Sequence, residues 1–441
     1  MPVPRPDGVR AANSTTDDRM SRPRVVIIGG GFGGIAVAQG LAGADVDIMV
    51  IDRSNHFVFQ PLLYQVASGT LAPSDIAVPI RWYLRRQKNT SVLLGDVTGI
   101  DTVGHTVEID GGIRREPWDF LVLAAGSRHA YFGHGEWEPR APGLKTLEDA
   151  LEMRSRFLMA FEQAELTLDE AARRAWQTIV IVGGGPTGVE LAGIMITMAR
   201  KALRPDFRRI DTAATRILLV EGGARLLANF PEDLAEAARR DLEQMGVEIR
   251  LNTLVSDITP ESARLGEETI ATRTVFWAAG NAASPLSKML GVPTRPNGQI
   301  DVEPDLSLPG RPDIFVIGDI AATRQGNGRP VPGVCQGAMQ GGARAADNIR
   351  RTLAGRERRP FRYWNKGDMA TIGRHSAVAD LGFIRFSGWF AWLLWLFIHI
   401  MYLAGFRNRV AVFLEWGWEY LTYQKGVRLI LGRGSSPPPR V

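Results

Sequence analysis

Short apolar, β-branched runs recur along the chain, and each one ends in a cluster of small residues. Val25, Val26, Ile27 and Ile28 are the first. No polar residue interrupts them, the pattern of a strand buried on both faces of a parallel sheet. Gly29-Gly30-Gly31-Phe32-Gly33-Gly34 follows, then small residues through Leu41 that predict a helix. Asp47 to Ile51 predicts a second strand, ending at Asp52. The succession then returns. Thr178 to Val182 reads as a strand, residues 183–188 as a glycine turn, Val189 to Lys201 as a helix, and Arg216 to Val220 as a strand ending at Glu221. Two copies of one unit, about 150 residues apart, predict two nucleotide-binding domains rather than a solenoid. Phe120 to Leu123, Val275 to Trp277 and Ile314 to Ile317 are further strands, running into Ala124-Ala125-Gly126, Ala278-Ala279-Gly280 and Gly318-Asp319.

The last part of the chain has a different pattern. Residues 350–362 are a basic, linker-like stretch, and residues 386–406 are 21 uncharged, strongly apolar positions. At 1.5 Å per residue such a run is about long enough to span a bilayer. Its aromatic residues argue otherwise: Trp389, Trp392, Trp395, His399, Tyr402 and Phe406 recur every three or four positions, whereas a spanning helix gathers tryptophan at its ends. Residues 410–423 mix Phe413, Trp416, Trp418 and Tyr420 with Glu415 and Glu419, a second amphipathic segment. Two helices lying in a membrane interface are the expectation. Residues 350–441 carry 15 Lys/Arg against 5 Asp/Glu, and the rest of the chain 37 against 42. A basic tail on an acidic body fits an anionic surface, and no nucleic-acid-binding motif accompanies it.

Composition narrows the chemistry. With 45% hydrophobic and 22% charged residues, the chain is neither disordered nor polytopic. Residues 1–23 are polar and lack an apolar core, so they read as a disordered extension and not a secretory signal. The one cysteine, Cys335, excludes an internal disulfide and any CxxC motif. The six histidines show no metal-ligand spacing, so no metal is expected.

Gly29, Gly31 and Gly34 follow a strand, open a helix and precede an acid about 20 residues on, at Asp52. That is the dinucleotide fingerprint. Its glycines allow the tight turn, the approach of backbone to pyrophosphate and the packing of helix on strand, while the helix N-terminus stabilises phosphate charge. Gly183, Gly185 and Gly188 repeat it, with Glu221 as the acid after a longer gap, so residues 197–215 read as an extended helix and loop. A carboxylate at Glu221 favours NADH over NADPH, although Arg225 lies nearby.

Two fingerprints in this order resemble the two-dinucleotide-binding-domain flavoproteins, whose first takes FAD and second NAD(P)H. With no cysteine pair, the disulfide-reducing members do not fit. Asn55 to Tyr64 (NHFVFQPLLY), GVCQGAMQGG at residues 333–342 and KGDMATIG at residues 366–373 resemble the type II NADH:quinone oxidoreductases. The resemblance implies an α/β fold of two Rossmann-like domains, with amphipathic membrane-anchoring helices behind them. The FAD domain, residues 24–140 and 285–365, is split by an NADH domain at 141–284, and residues 366–441 form the membrane segment. Non-covalent FAD falls to Gly29, Gly31, Phe32, Gly33, Gly34, Asp52, Arg53, Gln60, Leu63, Val97, Ala125, Gly126, Gly318 and Asp319. NADH falls to Gly183, Gly185, Pro186, Thr187, Gly188, Glu190, Glu221, Ala279 and Gly280. Gln336 and Gln340, four apart on one helix face, offer neutral donors to quinone carbonyls. Glu190, read as lying in the first helical turn, is the family's candidate proton relay, or else an acid stabilising a helix N-terminus.

The reaction implied is hydride transfer from NADH to flavin and two electrons onward to ubiquinone or menaquinone, without proton pumping. The setting implied is a peripheral homodimer on the cytoplasmic face of the cell membrane, touching lipid through residues 386–425. Two readings compete: an NADH-dependent reductase of a small redox protein, and a flavoprotein redox sensor.

Overall fold

The computed structural model of the protein describes residues 22–326, 328–422 and 427–430. Most of the extension at residues 1–23, the end of the lipid-contacting stretch and the terminal Gly/Ser/Pro tail lie outside these.

The first sheet has six strands in the order Ser307–Leu308, Arg311–Val316, Phe120–Leu123, Arg24–Ile28, Asp47–Asp52, Thr90–Leu94. All neighbours are parallel except the first pair. The second is parallel throughout, in the order Val247–Arg250, Arg216–Val220, Thr178–Val182, Thr274–Trp277. Ile28 stands level with Ile51 and Leu123, and Val182 with Val220 and Trp277. Each glycine turn therefore leaves the end of a central strand, the ligand-binding edge of such sheets. Residues crossing between the two sheets pair with each other: Ser127–His129 runs antiparallel to Asn281–Ala283.

Backbone must pass close to backbone at these turns. Gly29 has a φ of +105°, and a β-carbon there would sit 2.4 Å from the Ala124 carbonyl oxygen. A β-carbon on Gly34 would sit 1.8 Å from the Gly29 oxygen, and one on Gly188 the same distance from the Gly183 oxygen. Helix Phe32–Gly40 then packs against helix Cys335–Leu353, where a β-carbon on Gly342 would meet the Gly33 oxygen at 2.4 Å.

Three expectations change. The helix expected over 189–201 runs Pro186–Thr197 and continues as a π-turn, Met198–Ala202, which lengthens the gap before Glu221. The apolar run at 386–406 is not one helix. Gly388 and Gly405, with φ of +77° and +84°, divide it into the end of strand Arg385–Gly388, helix Trp389–Tyr402 and a turn into helix Phe406–Thr422. Among the described residues no helix is long and apolar enough to cross a membrane. Finally, only the middle of the aromatic stripe packs inward, while Trp389, Tyr402 and Phe406 are exposed. Trp395 is 1% exposed and stacks on His399 at 3.9 Å. The outward stripe is instead Phe390, Leu393, Phe397 and Met401, continued on the next helix by Phe406, Val410, Phe413, Leu414 and Leu421. Helix Trp389–Tyr402 sits on the three-stranded antiparallel sheet of Asp368–Ile372, Ser376–Asp380 and Arg385–Gly388, and helix Phe406–Thr422 packs on helix Pro73–Ile76.

Gly34→Ala is expected to displace the helix or cost roughly 1–3 kcal/mol or more, as overpacking does. A lowered urea midpoint checks this; an unchanged one would show that the turn relaxes around the methyl group.

Candidate functional site

Each glycine turn is tied to the acid of its second strand. Asp52 accepts from Gly30 N–H at 2.5 Å and from Ser54 N–H at 2.7 Å. Glu221 accepts from Gly184 N–H at 2.6 Å and from Gly223 N–H at 2.7 Å. Neither following helix has a side-chain N-cap, so their first N–H groups remain available to an anion. A β-carbon on Gly31, Gly126 or Gly185 would meet nothing within 4 Å. Open backbone beside uncapped helix termini is what a dinucleotide pyrophosphate needs, so the residues present fit FAD at the first turn and NADH at the second. Arg225 donates to the Ala228 carbonyl rather than to Glu221.

Not every residue assigned to FAD offers a side chain. Phe32 packs on Phe57 at 4.9 Å and on Phe59, while Leu63 and Val97 are core residues. Arg53 is exposed. Asp319 accepts from the Ser127 hydroxyl at 2.6 Å, which in turn accepts from Lys145 Nζ at 3.1 Å. Gln60 Nε2 donates to the Lys145 carbonyl at 3.3 Å. Burial pulls the Lys145 ammonium below its ordinary range, against the pull of Asp319. The sequence reading missed Lys145 and Ser127. They lie in irregular or short segments without a motif, and only the fold brings them to Asp319.

Glu190 is the fifth residue of its helix, beyond the first turn, and does not stabilise the helix N-terminus. It enters a cavity of about 60 Å³ that Tyr64, Gln65, Thr371, Trp395 and Trp416 help to line. Thr371 N–H donates to it at a long 3.5 Å. Burial pushes its carboxyl up to about 8, opposed by that N–H. Beside it runs a polar chain: Trp416 Nε1 donates to Gln65 Oε1 at 2.7 Å, Gln65 Nε2 donates to the Tyr64 hydroxyl at 3.0 Å, and that hydroxyl bonds Thr371 Oγ1 at 3.0 Å. Burial raises the Tyr64 phenol well above its ordinary value, so it stays protonated. His399 is pushed down to about 4 by burial and stays neutral.

Gln336 and Gln340 share a helix face, as expected, but their amides are already engaged. Gln336 donates to Gly367 O at 2.9 Å and accepts from Lys366 N–H at 3.1 Å. Gln340 donates to Trp364 O and accepts from Trp364 N–H, both at 2.9 Å. Asn348, two turns on, treats Arg359 the same way at 2.9 Å. Three side-chain amides thus stand in for a β-ladder partner along the chain as it returns beside the helix. Cys335 is half-buried, and desolvation pushes its thiol up to about 11. Among the described residues no His, Cys, Asp and Glu cluster could hold a metal.

Comparison with known proteins adds independent findings. Residues 23–342 match the family described as pyridine nucleotide-disulphide oxidoreductase, and residues 365–422 match the NDH2 C-terminal domain. The chain is 45% identical over 421 residues to type II NADH:quinone oxidoreductase NdhA of Mycobacterium tuberculosis, covering 92% of this chain and 88% of that one. It is 31% identical to demethylphylloquinone reductase NdbB of Synechocystis, over 90% and 96% of the two chains. Its fold is similar to that of NDH2 from Plasmodium falciparum solved with NADH, with a TM-score of 0.85 over 93% of this chain and 100% of that one at 20% identity.

Two outcomes are expected from this geometry. Gly31→Ala should leave apoprotein stability nearly unchanged, since the added carbon meets nothing, yet weaken retention of the first dinucleotide; desalting followed by absorbance checks both. For Glu190, the folded carboxyl is neutral up to about pH 8 while an unfolded one ionises near 4.5, so the group makes stability fall as pH climbs between these values. Glu190→Gln should remove that slope and gain on the parent above about pH 8. Urea midpoints across pH decide it; parallel profiles would contradict the burial.

Proposed function

This chain belongs to the type II NADH:quinone oxidoreductases, FAD-dependent enzymes that oxidise NADH and reduce quinone, and we propose how its own residues divide that work. We assign FAD to residues 24–140 and 285–365, NADH to residues 141–284, and membrane contact to residues 366–441. The duplicated glycine turn carries the assignment: each copy pairs an acid-tied central glycine with an uncapped helix terminus and an open third position.

Bound FAD supplies acceptance of hydride from NADH and release of two electrons to quinone. The protein's part is to bind, orient and hold protons. Asp52 and Glu221 accept from ribose hydroxyls at the two sites. Glu221 also disfavours NADPH, whose 2′-phosphate would meet a carboxylate already fixed by two backbone N–H groups. The buried polar position of Glu190 supports its holding a proton near the nicotinamide at neutral pH. Gln336 and Gln340 shape the quinone site by fixing residues 364–367. Losing one such amide removes a pair of hydrogen bonds, so it changes the wall and not merely one contact.

The outward apolar stripe of the last two helices supports a seat on a membrane surface, and the cytoplasmic face rests on the resemblance to the family. The homodimer rests on the resemblance to the family alone.

The test is anaerobic. NADH should bleach the flavin absorbance of the detergent-purified protein, and a ubiquinone or menaquinone analogue should restore it rapidly. Bleaching without restoration by any quinone would overturn the acceptor assignment. Glu221→Ala should narrow the preference for NADH over NADPH by about tenfold, an effect of roughly 1.4 kcal/mol. Gln340→Ala should raise the quinone KM several-fold while leaving bleaching by NADH unchanged; a loss of kcat with KM unaltered would contradict the wall role.

A further inference from the structure

The two apolar helices do not face outward alone. Between the second and third long strands of the FAD unit lies the short helix Ile80–Leu84, followed by Arg85 and Arg86. Arg81, Trp82, Arg85 and Arg86 are all exposed, Trp82 at 45%. The Trp82 ring rests against the turn joining the apolar helices, since a β-carbon on Gly405 would lie 3.7 Å from it. The Arg85 guanidinium lies 4.0 Å from the centre of that ring. Helix Phe406–Thr422 is fixed to the same region: Asn408 Nδ2 donates to Ser74 O at 3.1 Å and reaches Ala77 O at 3.5 Å. Arg407 is exposed beside it, next to Phe406 at 81% exposure.

None of these four arginines pairs with a carboxylate among the described residues. The facing acid, Asp75, lies within the field of Arg407, but its oxygen accepts from Ala72 N–H at 2.7 Å. The result is a set of guanidinium groups without a carboxylate partner near a tryptophan, at one edge of a broad apolar surface; Arg85 also donates to the Trp82 carbonyl at 2.8 Å. A bilayer with anionic headgroups has the matching order of layers: hydrocarbon for the stripe, an interfacial zone for Trp82, and phosphate for the arginines.

We propose that Arg81, Arg85 and Arg86 of the FAD unit, with Arg407, form a basic rim that seats the apolar helices on anionic phospholipid. The proposal rests on the membrane reading above and adds a second contact from outside the C-terminal segment. The rim ties the FAD unit to the same surface as the helices and selects acidic over neutral lipid.

Vesicle flotation of the FAD-loaded protein tests it, using phosphatidylcholine alone and phosphatidylcholine mixed with phosphatidylglycerol. The parent should bind the acidic vesicles more tightly, and salt should weaken that preference. R81Q/R85Q/R86Q should lose at least about tenfold in binding to acidic vesicles, given the attraction of each basic residue near such a surface. It should keep the parent's weaker binding to neutral ones. Flavin absorbance and NADH oxidation with a water-soluble quinone report that the variant is folded, and R81K/R85K/R86K should restore binding. Equal flotation of the glutamine variant and the parent on acidic vesicles would overturn the rim while leaving the membrane reading intact. A parent that floats with neither vesicle would overturn the membrane reading and the rim together.

Discussion

A carboxyl group taken out of water must either find partners or hold its proton, and Glu190 has almost none. Among the described residues its one donor is Thr371 N–H, at a long 3.5 Å, so the folded protein keeps it neutral near physiological pH. That constraint shapes what surrounds it. The helix that opens at the second glycine turn, the Tyr64 stretch of the first unit, the Thr371 strand and the Trp416 helix all meet there. Trp416, Gln65, Tyr64 and Thr371 satisfy one another in a single chain, which leaves Glu190 beside a closed polar network rather than inside it. Buried polar groups linked this way tolerate little displacement, so the four segments hold a fixed relation.

The rest of the architecture can be understood as bringing those segments together. Glycine lets two helices start directly over the ends of two parallel sheets, and their uncapped N-termini stand where we assign the two dinucleotides. The small residues of helix Phe32–Gly40 let helix Cys335–Leu353 cross it closely. The opposite face of that second helix carries Gln336, Gln340 and Asn348, which guide the chain back along it toward the Thr371 strand. One helix thus packs the FAD unit on one side and directs the C-terminal segment on the other. The apolar helices then cover the cavity of Glu190 with Trp395 and Trp416 and turn their second faces outward.

Both strand–glycine turn–helix units were legible in the sequence, because glycine spacing and strand-end acids are local signals whose purpose is backbone geometry. The family was legible for the same reason. The features that were misread depend on the third dimension. Nothing in the 386–406 pattern tells which aromatic residues pack on the protein, as Trp395 does, and which stay exposed, as Trp389 and Phe406 do; all have helical spacing, and only the underlying sheet decides. Gly388 and Gly405 break the run only because the fold gives them positive φ. Glu190 lies close enough to its helix start that the sequence left the electrostatic cap open beside the proton relay, and only the helix start at Pro186 removes the cap. The amides of Gln336 and Gln340 were correctly placed on one face, yet their partners are main-chain atoms 24 to 31 positions away, which no motif records. Lys145 had no signal at all.

Infrared difference spectroscopy of the FAD-loaded protein, comparing the parent with Glu190→Gln across pH, tests the buried junction most directly. A protonated-carboxyl band should be present at neutral pH, disappear near pH 8 and be absent from the variant. A carboxylate band assigned to Glu190 at neutral pH would contradict the account, because it would show the group solvated or paired.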